Sequence, residues 1–145
     1  MEITTYSFTD TVGSISHPEV GVYMFDGTGV GSVTISKSTD RTAHDIASDG
    51  SVMVSKIAGN NGTVTIECQQ TSSIHRWLLA WFNALWSLPT SSWAETAVTL
   101  RNSQTHTSHV CMGVSPQKEA DTPYQAQGQR VTWTLMCAEI TNMPI

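Results

Sequence analysis

The sequence has few charged side chains. Asp, Glu, Lys and Arg together make up 13% of its 145 residues, which is about half of their share in a typical globular protein. Serine and threonine are abundant instead, with 17 and 20 copies. Threonine is β-branched and fits a pleated strand, so this composition favours a β-domain. The surface of such a domain is either simply polar or covered by neighbouring subunits, since the centres of protein interfaces are depleted in charge.

A basic stripe, the usual mark of a nucleic-acid-binding protein, is also missing. The formal net charge is −5, and it arises in residues 1–70, which carry eight acids and three bases, whereas residues 71–145 carry four of each. Direct DNA or RNA binding is therefore not expected. The N-terminal residues 1–13 have no basic region and no apolar run, so they do not form a secretory signal. The longest apolar stretch contains Arg76 and Asn83 and is too short to span a bilayer.

Cysteine pairs are lacking as well. Cys68, Cys111 and Cys137 are an odd number without C-x-x-C spacing, and each lies in a strand-like segment. We predict that all three are small buried apolar side chains, which is compatible with a reducing compartment.

Motifs for catalysis or for a bound cofactor are absent too. Gly27, Gly29 and Gly31 do not have the G-x-G-x-x-G spacing of a dinucleotide-binding loop. They also lead into a strand and not into a helix. His106 and His109 have no Cys, Asp or Glu nearby to complete a metal site. His44 with Asp45 and Asp49 is an acid–base cluster without a nucleophile motif. The sequence thus predicts no catalytic residue, no cofactor and no metal site, and an enzyme is the weakest interpretation.

The clearest predicted element is one amphipathic helix over about residues 73–88. Ser72 or Ser73 can cap its start, and Pro89 follows its end. Its apolar side chains recur at three- and four-residue spacings: they are Ile74, Trp77, Leu78, Trp81, Phe82, Leu85 and Leu88. The aromatic residues of this stripe need a large apolar surface, which a sheet provides. Trp86 lies off the stripe and is a candidate for a contact with another subunit.

Most of the remaining chain is predicted to be strands. Short apolar segments, some with clear alternation, indicate strands at 22–25, 33–35, 97–100, 110–114 and 131–137. Two further strands, at 52–57 and 63–68, are predicted to form a hairpin across the turn 59–62, because Asn-Gly tolerates positive φ. Residues 37–50 and 115–129 lack periodicity and are predicted loops. The sequence thus predicts a single mostly-β domain over residues 1–145.

The run DGSVMVSKIAGNNGTVTIECQQTS (residues 49–72), followed by the helix, resembles the tail tube proteins of contractile-tailed bacteriophages. The shared order is a long loop, a strand, a G-x-x-G turn, a T-V-T-I strand, a Gln-Thr-Ser link and an amphipathic helix. A strand pair and the C-terminal Val-Thr-Trp-Thr-Leu strand complete it, so that the likeness covers most of residues 20–140. It implies a β-sandwich or rolled barrel flanked by the helix, a fold shared with type VI secretion tube proteins.

The resemblance also implies a function and roles for individual residues. The chain is expected to be a structural subunit of stacked hexameric rings, whose channel lets DNA pass without specific binding because a negative wall repels phosphates. Glu67 is the candidate for the lumen. The loop 37–50 is expected to reach the adjacent ring, with Arg41, Asp45 and Asp49 in inter-ring ion pairs. Sheath, baseplate and tape measure proteins are the other expected partners, and the protein is expected to be made in the host cytoplasm and carried in the virion tail, with no membrane involved.

Two alternatives stay open. The first is another tail or baseplate structural protein of related fold. The second is a monomeric β-sandwich binding module, for example for carbohydrate. Such a module needs an exposed aromatic platform, and only Trp93 and Tyr124 lie in predicted loops.

Overall fold

The computed structural model describes residues 1–145 and contains nine β-strands, one α-helix and two short 3₁₀ turns, Phe8–Asp10 and Thr90–Ser92. The strands and the helix follow one another as β1 (Thr11–His17), β2 (Gly21–Phe25), β3 (Val30–Lys37), β4 (Thr42–Ile46), β5 (Val52–Lys56), β6 (Gly62–Gln69), α1 (Ser73–Ser87), β7 (Thr96–Asn102), β8 (Thr107–Pro116) and β9 (Arg130–Pro144). The predicted mostly-β fold with one helix is confirmed.

Seven of the strands form one antiparallel sheet in the order β2-β1-β7-β8-β9-β6-β3. The sheet is rolled. Three strands separate β3 from β7 in the sheet, yet Val33 of β3 and Leu100 of β7 line one small cleft together with Phe8. The helix contacts both β2 and β6 and covers the inner side of the roll. Trp81 of the helix and Trp133 of β9 are both fully buried there.

The helix begins and ends where its sequence signals predict. The Ser72 hydroxyl accepts a hydrogen bond from the backbone N–H of His75, and Leu88 forms the C-cap before Pro89. A serine cap of this kind satisfies one of the N–H groups that the first turn leaves free. The apolar stripe faces inward: Ile74, Leu78, Trp81 and Leu85 are buried, and Trp77, Phe82 and Leu88 are partly buried against the core.

The predicted hairpin between residues 52–57 and 63–68 is wrong. Strand β5 pairs with β4, whereas β6 pairs with β3 and β9. The physical reason lies in the connecting segment, whose carbonyl groups have distant partners. Asn60 O accepts a hydrogen bond from Ile140 N at 2.8 Å, and Asn61 O accepts one from Ser38 N at 3.1 Å. These bonds fix the segment beside β9 and the end of β3, so it does not fold as a tight turn.

The predicted loop at residues 37–50 is also wrong, because it contains all of β4. Residues 42–56 form an antiparallel β-hairpin, the β4–β5 hairpin, as an insertion between the paired strands β3 and β6. The turn of the hairpin covers Ala47 to Ser51: Ala47 N donates to Ser51 O at 2.8 Å, and Gly50 takes a left-handed φ of 88°. A glycine adopts this φ without steric cost.

Candidate assembly surfaces

The β4–β5 hairpin projects from the rolled domain. All five residues of each strand are exposed, and the two strands pair only with one another. Its base is closed by two hydrogen bonds: Ile57 N donates to Arg41 O at 2.9 Å, and Arg41 Nη1 donates to Ile57 O at 3.3 Å. A two-stranded hairpin without a third strand or other cover is marginally stable in water. The hairpin is therefore the element of this chain that most lacks a partner.

The structure places Arg41, Asp45 and Asp49 on this one element but not in contact with each other. Arg41 lies at its base, Asp45 near the end of β4 and Asp49 in the turn, and none of the three is in an ion pair. Asp49 Oδ1 accepts a hydrogen bond from the backbone N–H of Ser51 at 3.0 Å. The hydrogen bonds from Ser51 lower the pKa of Asp49. Its carboxylate therefore stays charged at neutral pH and available to a partner.

The His44, Asp45 and Asp49 cluster is not assembled. His44 and Asp45 are successive residues of β4, so their side chains point to opposite faces of the hairpin. No group of three or more His, Cys, Asp or Glu side chains in residues 1–145 is arranged to hold a metal ion.

Glu67 lies on the outer face of the sheet, in β6. Its Oε1 is 2.9 Å from Nη1 of Arg130, the first residue of β9, and both side chains are partly exposed. The charge of Glu67 is thus offset by a neighbouring base. Most of the other outward positions around this pair carry hydroxyl groups; on β3, β6 and β9 they are Ser32, Thr34, Ser36, Thr63, Thr65, Thr132 and Thr134, and Met136 is the apolar exception.

Trp86 lies near the C-terminal end of the helix and is 75% exposed. Its ring meets the ring of Trp93 edge-on, with centroids 6.2 Å apart. Leu85, Leu88 and Thr90 complete an open, mostly apolar cleft of about 380 Å³ around this pair. Periodicity placed Trp86 off the buried stripe, and the structure agrees. Trp93 was predicted to lie in a loop, and no sequence signal indicated that its ring packs between Trp86 and Phe82.

Two buried polar contacts were not predicted. His75 is buried on the helix, and its Nδ1 accepts a hydrogen bond from Trp133 Nε1 at 3.1 Å. Burial lowers the pKa of His75. In the same core, Trp81 Nε1 donates to Thr96 Oγ1 at 2.9 Å. The spacing of His75 from Leu78 and Leu79 is helical, so its position next to the apolar stripe was the only sequence signal for its burial.

The cysteine prediction is confirmed. Cys68, Cys111 and Cys137 are all buried, and none forms a disulfide. No helix of the chain has the length and hydropathy that crossing a bilayer requires.

Comparison with known proteins gives one family match. A family model described as the bacteriophage PhiTE tail tube protein matches residues 3–144. No curated protein sequence matches the chain.

Solved structures of contractile injection systems contain chains of similar fold. One is a chain of the extracellular contractile injection system PVC, in its sheath–tube complex in the extended state, with 10% identity, a TM-score of 0.58 and coverage of 97% of this chain and 93% of that chain. Another is a chain of the six-fold symmetrised anti-feeding prophage baseplate, with 11% identity, a TM-score of 0.64 and coverage of 99% and 98%. A third is a chain of the anti-feeding prophage tube-terminating cap, with 8% identity, a TM-score of 0.57 and coverage of 100% and 94%. At these identities the likeness shows the fold alone.

Proposed function

We propose that this chain, which belongs to the bacteriophage PhiTE tail tube protein family, forms hexameric rings that stack into a tube with a channel for DNA. The family match confirms the resemblance found in the sequence and the interpretation of the chain as a structural protein, not an enzyme. The observation that carries the proposal beyond the family is the β4–β5 hairpin, which projects from a complete domain and has no cover within its own chain.

In this proposal the hairpin is the element that joins successive rings. None of Arg41, Asp45 and Asp49 is in an ion pair within its own chain, so each is free to pair with a charge on the next ring. An exposed ion pair contributes about 0–1 kcal/mol, and the same pair repeated around a ring raises the avidity of stacking.

The channel wall in this proposal is the outer sheet face around Glu67. Arg130 offsets the charge of Glu67, so this position contributes an ion pair and not an isolated negative charge. The surrounding serine and threonine hydroxyls add no positive charge. Because affinity for DNA comes largely from cations that replace phosphate counterions, such a wall lets DNA slide without binding it.

Sheath, baseplate and tape measure proteins are the proposed further partners, and the virion tail is the proposed location. Support for the first two comes from the similar folds, which occur in a sheath–tube complex and in a baseplate. The similar fold in a tube-terminating cap favours a second candidate, a subunit that ends or initiates a tube.

The test compares the full chain with a variant that lacks the hairpin. Ile57 N already donates to Arg41 O. The two residues that flank a two-residue hairpin loop make the same hydrogen bond. Replacing residues 42–56 by Asn-Gly should therefore close the chain without strain. Negative-stain microscopy and light scattering over a range of concentrations should show six-membered rings for both proteins and tubes only for the full chain. The proposal is contradicted if both proteins stay monomeric at every concentration, and the stacking role of the hairpin is contradicted if the shortened variant still forms tubes.

A further inference from the structure

The two faces of the β4–β5 hairpin differ in chemistry. Directly paired residues of an antiparallel hairpin share a face, and the register pairs Ile46 with Val52 and His44 with Val54. One face therefore carries Ile46, Val52 and Val54, which are 70%, 51% and 62% exposed, with His44 opposite Val54. We call Ile46, Val52 and Val54 the apolar hairpin face. The opposite face carries Ala43 with Ser55 and Asp45 with Met53.

The three charged residues Arg41, Asp45 and Asp49 lie away from the apolar hairpin face. Asp45 is on the opposite face, Asp49 is in the turn, and Arg41 precedes β4 at the base. The only fully charged side chain that shares the apolar face is Lys56, which pairs with Thr42 at the base end. Apart from Lys56 at the base and His44, the apolar face therefore offers a partner no charged group to match.

An apolar strand face that projects into water is an association surface. Single exposed apolar side chains are common, but a contiguous patch on a flat two-stranded ribbon favours pairing or packing with another chain. The hairpin itself is marginal without cover. The chain supplies no cover of its own, because all residues of β4 and β5 are exposed.

A second copy of this chain has a receiving surface of the same chemistry, which is the cleft between Trp86 and Trp93. A second, mixed cleft of about 250 Å³ lies on the outer sheet face, where Val12, Met24 and Val110 line it together with Arg101 and hydroxyl side chains. A projecting apolar element and an apolar cleft at different places on one chain make a head-to-tail contact, which forms a ring where its rotation closes and an open stack where it does not.

We infer that the apolar hairpin face packs against the rolled domain of a second copy in the next ring, and that this contact carries more of the stacking affinity than the ion pairs of Arg41, Asp45 and Asp49. The inference rests on the proposed stacking function and names the surface that performs it. It assigns the three charged residues a smaller part, in the orientation of the hairpin.

Two matched triple variants test the inference. I46T/V52T/V54T makes the apolar face polar but keeps β-branched residues, which fit strands. R41Q/D45N/D49N removes the three charges and keeps the apolar face. Both are changes at exposed positions, so circular dichroism and melting of unassembled protein should match the wild type. The measurement is the critical concentration for tube formation, by sedimentation and negative-stain microscopy, at low and high salt.

The threonine variant should form rings but require at least about 100-fold more protein to form tubes, since three apolar side chains lose their buried contact. The charge variant should change the critical concentration by about threefold or less, and added salt should have a similarly small effect on the wild type.

Three results overturn the inference. Tubes of the threonine variant at the wild-type concentration refute it while the stacking function stands. Loss of tubes in the charge variant, with strong salt dependence of the wild type, would show that stacking is electrostatic. A wild type that forms neither rings nor tubes removes the proposed function, and the inference with it.

Discussion

Truncation of Trp81 tests whether the helix stripe is the core of the domain. Trp81 is fully buried, lies parallel to Trp77 with ring centroids 6.4 Å apart, and donates its indole N–H to Thr96 Oγ1. Trp81→Ala removes the ring, which lowers the free energy of unfolding by about 3–5 kcal/mol for a large buried aromatic side chain. It also leaves the buried Thr96 hydroxyl without its donor, which adds about 1 kcal/mol or more. A domain of this size is stable by about 5–15 kcal/mol, so the variant should be close to unfolding or unfolded at 25 °C.

The hydrogen bond can be separated from the ring with Thr96→Val, which keeps the ring but leaves the indole N–H without an acceptor. We expect a loss of about 1–3 kcal/mol in the free energy of unfolding. Trp86→Ala is the control on the same helix: because Trp86 is mostly exposed, its truncation should change stability by about 0.5 kcal/mol or less. Urea unfolding of unassembled protein measures all three, since assembly would shift the apparent stability. Equal midpoints for Trp81→Ala and Trp86→Ala would refute the assignment of the core.

Three further predictions concern stability. Burial lowers the pKa of His75 below its usual 6.5, so the unfolded chain binds more protons below that pH; stability should therefore be constant above about pH 6.5 and fall as the pH decreases below it. The His75→Gln variant should not show the decrease in stability that His75 causes at low pH. If the urea midpoints of the variant and the wild type depend on pH in the same way from about pH 7.5 to 5, the prediction is contradicted. Gly62→Ala should destabilise the domain by about 1–3 kcal/mol, because the new Cβ would overlap the β3 backbone and a β9 side chain. Gly128→Ala is the control, since its Cβ would meet nothing within 4 Å and the change should be neutral. Equal melting temperatures of the two variants would disprove the clash. Glu67→Gln should cost less than about 1 kcal/mol at low salt and almost nothing at high salt, because its pair with Arg130 is exposed; a salt-independent loss would show a structural role.

The helix and most sheet strands could be predicted because each signal is local. In the helix, burial repeats every three to four residues, a serine caps the start and a proline follows the end. In β9 the alternation of Val131, Trp133 and Leu135 with threonines matches the alternation of buried and exposed positions. Both patterns follow from one side of an element facing one core.

Strand β1 shows why local patterns fail elsewhere. Its inward positions are Thr11, Gly13, Ile15 and His17, of which only Ile15 is a large apolar residue. Gly13 is buried because Phe25 packs over it: a Cβ there would lie 2.7 Å from Thr99 O and against the Phe25 ring. Thr11 is satisfied by a hydrogen bond from Asn102 at 2.7 Å. The burial of β1 therefore depends on residues of β2 and β7, and its own sequence does not carry the signal.

The assembly surfaces divide in the same way. The exposure of Trp86 follows from helical periodicity and was predicted. The two faces of the hairpin depend on the pairing of β4 with β5, and a pairing of β5 with β6 would have given Val52 and Val54 other neighbours. The offset of Glu67 by Arg130 joins residues that are 63 positions apart in the chain. A composition poor in charge fits either a polar or a covered surface, and it does not locate any assembly surface.

Folding and assembly are carried by different parts of this chain. The core contains 19 buried hydrophobic residues, and none of them lies between Lys37 and Gly62. The insertion is closed at its base by hydrogen bonds at Arg41 and by the links from Asn60 and Asn61 to β9 and the end of β3. The rolled domain can therefore fold without the β4–β5 hairpin, while the hairpin gains cover only from another molecule. Substitutions in the hairpin should accordingly change how copies join without changing how each copy folds, whereas substitutions on the inner side of the sheet should lower the stability of each copy.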